Sequence, residues 1–151
     1  MLRISKLTDY AFIILSCLAR DPARITSAAW IAKEAHLSRP TVSKLLKILA
    51  ESGLVTSFRG QGGGYQLARN AKELSVADIV SAIEGELGVT ECCTSINACV
   101  LDSLCKIKEN WRTINQAIYS VLAGLTLHDM IRPLPKQEMV LKGIPVIVKG
   151  V

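Results

Sequence analysis

Four of the five cysteines in this chain lie in one short stretch, from Glu91 to Trp111. Three of them, Cys93, Cys99 and Cys105, recur at intervals of six residues. On a continuous α-helix a six-residue step turns the side chain by about 600°, so the three sulfur atoms would point to three different sides. The thiols can therefore meet only if the stretch is largely a loop that wraps around whatever it binds.

The spacing of these cysteines indicates what kind of group they would hold. It is not the C-x2-C pair typical of structural zinc, nor the C-x2-C-x2-C run of bacterial ferredoxins. An iron-sulfur cluster with three thiolates and one different ligand fits the pattern better. We therefore predict one cluster per subunit, of the 2Fe-2S or 4Fe-4S type, because three cysteines and one further ligand can serve either.

The composition predicts a helical protein with one domain, or with a small domain and a dimerising appendage. Half of the 151 residues are hydrophobic and only 5% are aromatic. No apolar run approaches the roughly 18 residues that span a membrane, and the N-terminus does not resemble a signal peptide. We expect a cytoplasmic protein, in which clustered cysteines bind metal or act as redox thiols rather than form disulfides. Cys17 lies in an apolar run and is expected in the core.

Charge is unevenly divided along the chain. Residues 1–72 contain eleven Lys and Arg against four Asp and Glu, a net charge of +7, whereas residues 73–151 carry a net charge of −2. A basic half indicates a polyanionic partner. The N-terminal half is therefore the predicted nucleic-acid-binding half.

The apolar spacing predicts three helices in this basic half. They are Asp9–Ala19, a short helix that is capped by Thr26 or Ser27 and ends at Ala35, and Arg39–Ser52, which is capped by Ser38. Pro40 is tolerated because it lies in the first turn, where no intrahelical donor is lost. His36 and Leu37 form the predicted turn between the last two helices. This order of helix, turn and capped helix is typical of a helix-turn-helix.

The third helix has two chemically different faces. Its apolar positions are predicted to face the core: Val42, Leu45, Leu46 and Leu49. Its basic and hydroxyl positions are predicted to face the DNA major groove: Ser38, Arg39, Thr41, Ser43, Lys44 and Lys47.

A glycine-rich segment follows, between two predicted strands, Leu54–Phe58 and Tyr65–Leu67. Such loops also bind phosphates in nucleotide-binding folds, but there the loop leads into a helix, and this one leads into a strand. The pattern favours the wing of a winged helix, with Arg59, Gly60, Gln61 and Gly62 near the DNA minor groove. A flexible hairpin tip without DNA contacts is the alternative.

The C-terminal half begins with a predicted helix that opens on a capping box, Ser75 to Asp78, and stops at Gly85. Beyond the cysteines, apolar residues recur at alternating steps of about four and three: Ile107, Trp111, Ile114, Ile118, Val121 or Leu122, and Leu125. This seam predicts a long helix that forms a two-fold dimer. The tail beyond Arg132 is interrupted by Gly and Pro, and the sequence leaves open whether residues 140–148 form a strand.

Several of these segments together resemble a known family. The opening MLRISKLTDYA, the wing LVTSFRGQGGGYQLAR, the helix LSVADIVSAIEG and the C-x5-C-x5-C loop resemble the iron-sulfur-sensing winged-helix repressors of the IscR and NsrR type. The resemblance is collinear over about residues 1–130. Within the family, SKLTDY and the tandem ECC are most similar to regulators of the SUF iron-sulfur assembly operon. The resemblance implies a homodimeric transcription factor whose cluster state sets its DNA affinity or its choice of operator.

The resemblance also implies ligands. Cys93, Cys99 and Cys105 match the three cysteine ligands of the family. The histidine that IscR-like members place three residues after the last cysteine is absent, because Lys108 stands there. NsrR-like members use an aspartate of the other subunit near the start of the first helix, and Asp9 matches it.

Other residues compete with Asp9 for the role of fourth ligand. Cys92 is a rival, although neighbouring side chains are expected to diverge, which would keep it from sharing a cluster with Cys93. Glu91 and His128 are further alternatives. Asp9 itself has a purely structural explanation, since a carboxylate in the first turn of a helix complements the helix dipole.

The prediction as a whole is a mainly α fold with four parts. They are a winged helix-turn-helix DNA-binding domain in residues 1–85, a cysteine-rich cluster-binding loop in residues 86–106, a dimerisation helix in residues 107–132, and a partly disordered tail in residues 133–151. The predicted function is a homodimeric repressor of iron-sulfur assembly genes that senses cluster, redox or nitric oxide status. Its partners are operator DNA and a second copy of the chain, with no small-molecule substrate.

Three other functions compete with this prediction. A transcription factor with redox thiols or a zinc site would be colourless. A thiol enzyme is disfavoured because a nucleophilic cysteine needs a nearby base, and the histidines are His36, in the helix-turn-helix, and His128, near the end of the long helix. A carrier that delivers clusters would have no use for the basic helix-turn-helix.

Overall fold

The computed structural model describes residues 3–94, 99 and 104–132, and the backbone of residues 139–141 and 144–146. The elements in order are α1 (Lys6–Ala19), α2 (Ala28–Glu34), α3 (Arg39–Glu51), β1 (Val55–Phe58), β2 (Gly64–Leu67), α4 (Val76–Glu84), α5 (Lys108–Gly124), α6 (Leu127–Met130), β3 (Met139–Leu141) and β4 (Ile144–Val146). A 3-10 turn, Glu91–Cys93, lies between α4 and α5. The mainly α, winged helix-turn-helix fold is thus confirmed. No helix within the described ranges is both long and apolar enough to cross a membrane.

The hydrophobic core lies where α1, α3 and α4 pack together. Helix α3 contributes the four apolar side chains predicted from its spacing, Val42, Leu45, Leu46 and Leu49, and all four are fully shielded from solvent. Cys17 is also buried, as predicted, at 5% exposure. Burial raises the pKa of the Cys17 thiol, which keeps it protonated and suits a packing role.

Serine side chains begin four of the helices. Ser38 and Ser75 cap α3 and α4, as the sequence predicted, and Ser27 is the one of the two predicted candidates, Thr26 and Ser27, that caps α2. The prediction for the first helix was wrong by three residues. Ser5 Oγ accepts a hydrogen bond from the Thr8 amide, so α1 begins at Lys6 and places Asp9 in its first turn.

Strands β1 and β2 form an antiparallel hairpin in which Val55 pairs with Leu67 and Phe58 with Gly64. Thr26, just before α2, extends the hairpin through reciprocal backbone hydrogen bonds of 2.9 Å with Tyr65. A Cβ atom on Gly64 would lie 2.5 Å from the Thr26 carbonyl oxygen. Only glycine therefore fits at this crossing, which fastens the wing to the helix-turn-helix.

The helix predicted for residues 107–132 is divided in two. Helix α5 ends at Gly124, and Leu125 accepts a backbone hydrogen bond of 2.8 Å from Val76. Thr126 and Asp129 then form a capping box that opens α6, and Leu127 is fully buried in the core. The backbone bond to Val76 and the burial of Leu127 hold the chain against the start of α4 at the point where α5 ends and α6 begins.

Strands β3 and β4 pair antiparallel, with Met139 opposite Val146, so a hairpin forms within the predicted tail. The rest of the tail lies outside the described residues, as do residues 95–98 and 100–103 of the predicted cysteine loop.

The end of α4 is fastened to the start of α1 by one carboxylate. Glu84 Oε1 accepts hydrogen bonds from the Ser5 amide, at 3.0 Å, and from the Thr8 hydroxyl. Thr8 is fully buried, so this hydroxyl has no competing water. Hydrogen bonding by Ser5 and then by Thr8 lowers the pKa of Glu84, because both interactions favour the charged form.

Replacing Glu84 with Gln should make the stability of the fold less sensitive to acid. Because the folded-state pKa of Glu84 lies below its ordinary value of 4.5, its carboxylate stabilises the folded state above that pH. The contribution is lost as the pH falls through the folded-state pKa. The difference in unfolding free energy between the wild type and Glu84→Gln, measured by urea denaturation, should therefore shrink between about pH 7 and about pH 3.

Glu86→Gln is the matched control, since it removes an exposed carboxylate two residues further on. The difference in unfolding free energy between the wild type and Glu86→Gln should change less over the same pH range. Parallel pH profiles for the wild type and Glu84→Gln would contradict the role assigned to Glu84.

Candidate nucleic-acid interface and cysteine segment

The N-terminal half of α3 presents polar side chains to solvent. Ser38 Oγ accepts from the Thr41 amide at 3.3 Å and lies 2.7 Å from the Thr41 hydroxyl. These contacts fix the first turn, with Pro40 inside it. Of the six predicted DNA contacts on this helix, Thr41 is half-buried and the others are exposed: Ser38, Arg39, Ser43, Lys44 and Lys47. The face is therefore accessible to a partner, and its contact with DNA stays a prediction.

The lysines of this face differ in their surroundings. Lys47 Nζ lies 3.9 Å from the Glu51 carboxylate one turn later, and both side chains are mostly exposed. A pair of this kind contributes little to stability. The pair does place the negative charge of Glu51 beside Lys47, which would repel a phosphate. Lys44 is therefore the better candidate for a phosphate contact.

A cation-π contact supports α2 from outside the helix. The Arg24 guanidinium carbon lies 5.3 Å from the centre of the Trp30 ring. Arg24 was not among the residues predicted from the sequence. Residues in the turn before a helix reach its surface in ways that helical spacing does not encode.

The tip of the wing is exposed at all four predicted positions: Arg59, Gly60, Gln61 and Gly62. Gly60 and Gly62 have φ angles of +97° and +85°, which favour glycine. A Cβ atom on Gly63 would lie 2.4 Å from the Phe58 carbonyl oxygen. The glycines therefore shape a narrow tip that leaves Arg59 projecting from it.

The cysteine segment starts with an unexpected arrangement of two sulfur atoms. Thr90 precedes the 3-10 turn, and its hydroxyl oxygen lies 3.1 Å from Cys92 Sγ and 3.3 Å from Cys93 Sγ. Although neighbouring side chains are expected to diverge, both sulfurs contact this one hydroxyl. The tight turn, closed by a 2.9 Å bond from the Cys93 amide to the Thr90 carbonyl, brings both sulfurs to one hydroxyl.

The other predicted ligands are dispersed. Cys99 and Cys105 are half-buried free thiols, Glu91 is exposed, and His128 lies on α6. Within residues 3–94, 99 and 104–132, no three His, Cys, Asp or Glu side chains lie close enough to hold one metal ion. The structure does not gather Cys93, Cys99 and Cys105, and their role as a ligand set stays a prediction.

Asp9 lies exposed on the first turn of α1. Across the described part of the chain its carboxylate makes no hydrogen bond or ion pair. It is therefore available to a partner outside its own subunit, and it also has the position in which a carboxylate complements the helix dipole.

Asn115 of α5 holds the backbone that leads into the cysteines. Its Oδ1 accepts from the Val89 amide at 3.0 Å, and its Nδ2 donates to the Leu87 carbonyl at 3.2 Å. One amide side chain thus satisfies a donor and an acceptor of an irregular segment. Asn115 was not predicted from the sequence, because it lies 26 positions from Val89 and has the pattern of an ordinary polar position of a helix.

A cleft of about 420 Å³ lies beside Cys93. It is lined by Ser81, Gly85, Glu86, Leu87, Cys93, Thr94 and Tyr119. The cleft therefore joins the end of α4, the start of the cysteine segment and the middle of α5.

Comparison with known proteins agrees with the fold. Residues 4–133 match the model of the Rrf2 family, described as an iron-dependent transcriptional regulator. The HTH-type transcriptional regulator NsrR of Bacillus subtilis is 27% identical over 136 residues, which cover 87% of this chain and 91% of NsrR.

Solved structures that are similar over most of their length include a cysteine regulator and an IscR protein. CymR, the global cysteine regulator of B. subtilis, has a TM-score of 0.67 and 30% identity, covering 87% of this chain and 97% of CymR. IscR of T. potens has a TM-score of 0.64 and 30% identity, covering 86% of each chain.

Replacing Asn115 with Ala should expose the Val89 amide to solvent exchange. The loss of one hydrogen bond, worth about 0.5–1.5 kcal/mol, corresponds to a roughly 2- to 13-fold faster exchange of that amide. Asn115→Asp keeps an acceptor for Val89 and should leave its amide more protected than Asn115→Ala does. Hydrogen-deuterium exchange resolved at Val89 measures the exchange rate in both variants. Gln116→Ala, at an exposed position of the same helix, is the control. Equal Val89 exchange in the wild type and Asn115→Ala would show that Asn115 does not hold the segment in solution.

Proposed function

Because this chain belongs to the Rrf2 family of transcriptional regulators, we propose that it is a homodimeric repressor that reports iron-sulfur cluster, redox or nitric oxide status. We propose further that its targets are genes of iron-sulfur cluster assembly. The observation that carries the proposal is the position of the accessible thiols. Cys92 and Cys93 lie in the 3-10 turn that follows α4, a helix of the core, and this turn contacts α5, a helix with an exposed apolar face.

The surface of α5 supports a dimer. No residue of this 17-residue helix is buried in the single chain. Ile114 is 45% exposed and Tyr119 is 42% exposed, and Ile107, just before the helix, is 56% exposed. An apolar stripe of this length is normally covered, and a second copy packed about a two-fold axis covers it with the same residues.

The cysteines present suit a soft metal centre. Cys93, Cys99 and Cys105 are free and partly accessible, in contrast to the buried Cys17. Thiolate sulfur is the ligand that iron-sulfur clusters use. Cys93, Cys99 and Cys105 would hold the cluster, which would supply a centre sensitive to oxidants, nitric oxide and iron supply.

Asp9 is the proposed fourth ligand, donated by the partner subunit. Its carboxylate is exposed and unpaired within the described residues. A carboxylate is a harder and more labile partner for iron than a thiolate, so it is a suitable point at which to sense change. Cys92, Glu91 and His128 stay as rivals for this position.

The protein's own contacts could carry a change at the cysteines to α3. Asp9 lies on α1, which packs against α3. Glu84 fastens the start of α1 to α4, and Asn115 fastens the cysteine segment to α5. A tie between Asp9 and the partner's cysteine segment would thus restrain the spacing of the two α3 helices in the dimer.

Contact with operator DNA is proposed through α3 and the wing. The accessible residues of α3 fit the major groove, and Arg59 with the neighbouring glycines fits the adjacent minor groove.

A second candidate function is a thiol-based or zinc-binding transcription factor without a cluster. The similarity to CymR, a global cysteine regulator, favours it. So does the separation of the three cysteines. The colour and iron content of the protein distinguish the two candidates.

Replacing Lys44 with Gln should flatten the salt dependence of DNA binding. If Lys44 neutralises one phosphate, its loss reduces the slope of log affinity against log salt by about 0.9. Fluorescence anisotropy with an operator duplex at several salt concentrations measures the slope. The exposed Lys72→Gln, outside the helix-turn-helix, is the control and should leave it unchanged. An unchanged slope for Lys44→Gln would remove this residue from the interface.

Anaerobically purified protein should be brown, with inorganic sulfide in proportion to iron. Cys99→Ala should be bleached, because two thiolates do not retain the cluster. Absorption and Mössbauer spectra, with iron and sulfide assayed on the same sample, measure both and report nuclearity. A wild-type protein that stays colourless after reconstitution would contradict cluster sensing and leave the thiol or zinc candidate.

Mixed dimers test whether Asp9 acts across the interface. Asp9→Ala and Cys99→Ala subunits, each unable to hold a stable cluster alone, are combined and the heterodimer is isolated by two affinity tags. If Asp9 acts in trans, one of the two sites in the heterodimer is complete, so about half of the wild-type iron returns. If Asp9 acts within its own subunit, no site is complete and iron stays at the level of the single variants.

A further inference from the structure

The sulfur atoms of Cys92 and Cys93 both contact the Thr90 hydroxyl. The distances are 3.1 Å and 3.3 Å to the same oxygen atom. A hydroxyl carries one proton and two lone pairs, so it can donate to one sulfur while it accepts from the other thiol. The hydroxyl therefore holds both thiols beside it, with no disulfide bond between them.

The two thiols are poorly suited to form a disulfide with each other. Adjacent Cα atoms across a trans peptide lie about 3.8 Å apart, whereas disulfides usually span about 4.4–6.8 Å between Cα atoms. A direct bond would therefore be strained. A single larger atom inserted between the sulfurs relieves this constraint, because metal-sulfur bonds are about 2.3 Å long.

We infer that Cys92 and Cys93 form a two-thiol site for a soft, thiophilic centre of the trivalent arsenic class in the cluster-free protein. The Thr90 hydroxyl prearranges the pair, and both side chains are partly accessible. The inference does not rest on the proposed cluster. It shares Cys93 with the proposed ligand set, so a cluster held by Cys93 and an arsenical would exclude each other.

The cleft beside Cys93 makes room for the third substituent of such a centre. Leu87, Thr94 and Tyr119 line it, together with polar groups of Ser81 and Glu86. Its volume of about 420 Å³ exceeds that of a phenyl ring, and it is open to solvent on one side. An organoarsenical can therefore reach the thiols with its organic group directed into the cleft.

The reaction is a substitution at arsenic without any change of oxidation state. A hydrated arsenical with two hydroxyl groups loses both As–O bonds and gains two As–S bonds. The two thiol protons leave with the two hydroxyl groups as two molecules of water. No oxidant, reductant or further reactant is required.

Phenylarsine oxide tests the inference on the full-length chain, prepared without oxygen and stripped of iron. Intact-mass spectrometry should show one phenylarsenic bridge per chain. A bridge held by two thiols should resist excess 2-mercaptoethanol and be removed by 2,3-dimercaptopropanol, because only a dithiol forms a competing chelate. Cys92→Ser and Cys93→Ser should each reduce the apparent affinity by at least about tenfold.

Three further cysteine variants show which pair is used. Cys17→Ser, Cys99→Ser and Cys105→Ser should retain the bridge, and circular dichroism confirms that each variant is folded. A bridge that survives Cys92→Ser but is lost in Cys99→Ser or Cys105→Ser would overturn the inference and assign the binding to a different pair. Failure of the wild type to form the bridge would also overturn it. Neither result bears on the cluster, which is assayed separately by iron and sulfide.

Discussion

The packing of α1 in the middle of the DNA-binding domain is the constraint on which the rest of the structure depends. This helix contacts α2, α3, α4, α6 and β2, and Ala11, Ile14 and Leu15 are fully shielded from solvent. Burying a side chain such as Ile14 or Leu15 stabilises the fold by about 1.5–3 kcal/mol. Because five elements share one helix, α1 cannot shift without disturbing at least one neighbour. The first turn of α1 also carries Asp9, so the most constrained helix of the domain has one exposed acidic group at its start.

The basic side chains and the accessible thiols lie in different parts of the fold. The basic and hydroxyl groups of α3 and the wing lie in the first half of the chain, and the accessible thiols lie in the second half, after α4. Two side chains hold the backbone on either side of the start of the cysteine segment. Glu84 fastens the end of α4 to α1, and Asn115 fastens Leu87 and Val89 to α5. Through Glu84, the end of α4 that leads into the cysteine segment is thus tied directly to the helix that carries Asp9.

The features that the sequence predicted correctly depend on neighbouring residues. Ser27, Ser38 and Ser75 each act within three positions of themselves, and the apolar face of α3 repeats at helical spacing. The features it missed depend on distant ones. The contact between Glu84 and Ser5 joins residues 79 positions apart, and no local pattern marks it.

The break after α5 shows how a local signal can be overlooked. The apolar repeat runs on to Leu125, which favoured a continuous helix, yet the capping motif formed by Thr126 and Asp129 was already present in the sequence. The candidate ligands Cys93, Cys99 and Cys105 were found from their spacing alone. Their mutual placement depends on how the chain between them folds, which their spacing does not determine.

The bridge between Thr26 and Tyr65 has a consequence for how DNA would be read. It joins the wing to Thr26, two residues before α2, so the wing is held by backbone hydrogen bonds to the helix-turn-helix. A duplex that meets both must bring its major and minor grooves to a fixed separation. The protein has little freedom to adapt there, so the energy of bending or narrowing a groove falls on the DNA. Base steps that deform easily would then be preferred at positions that no side chain touches.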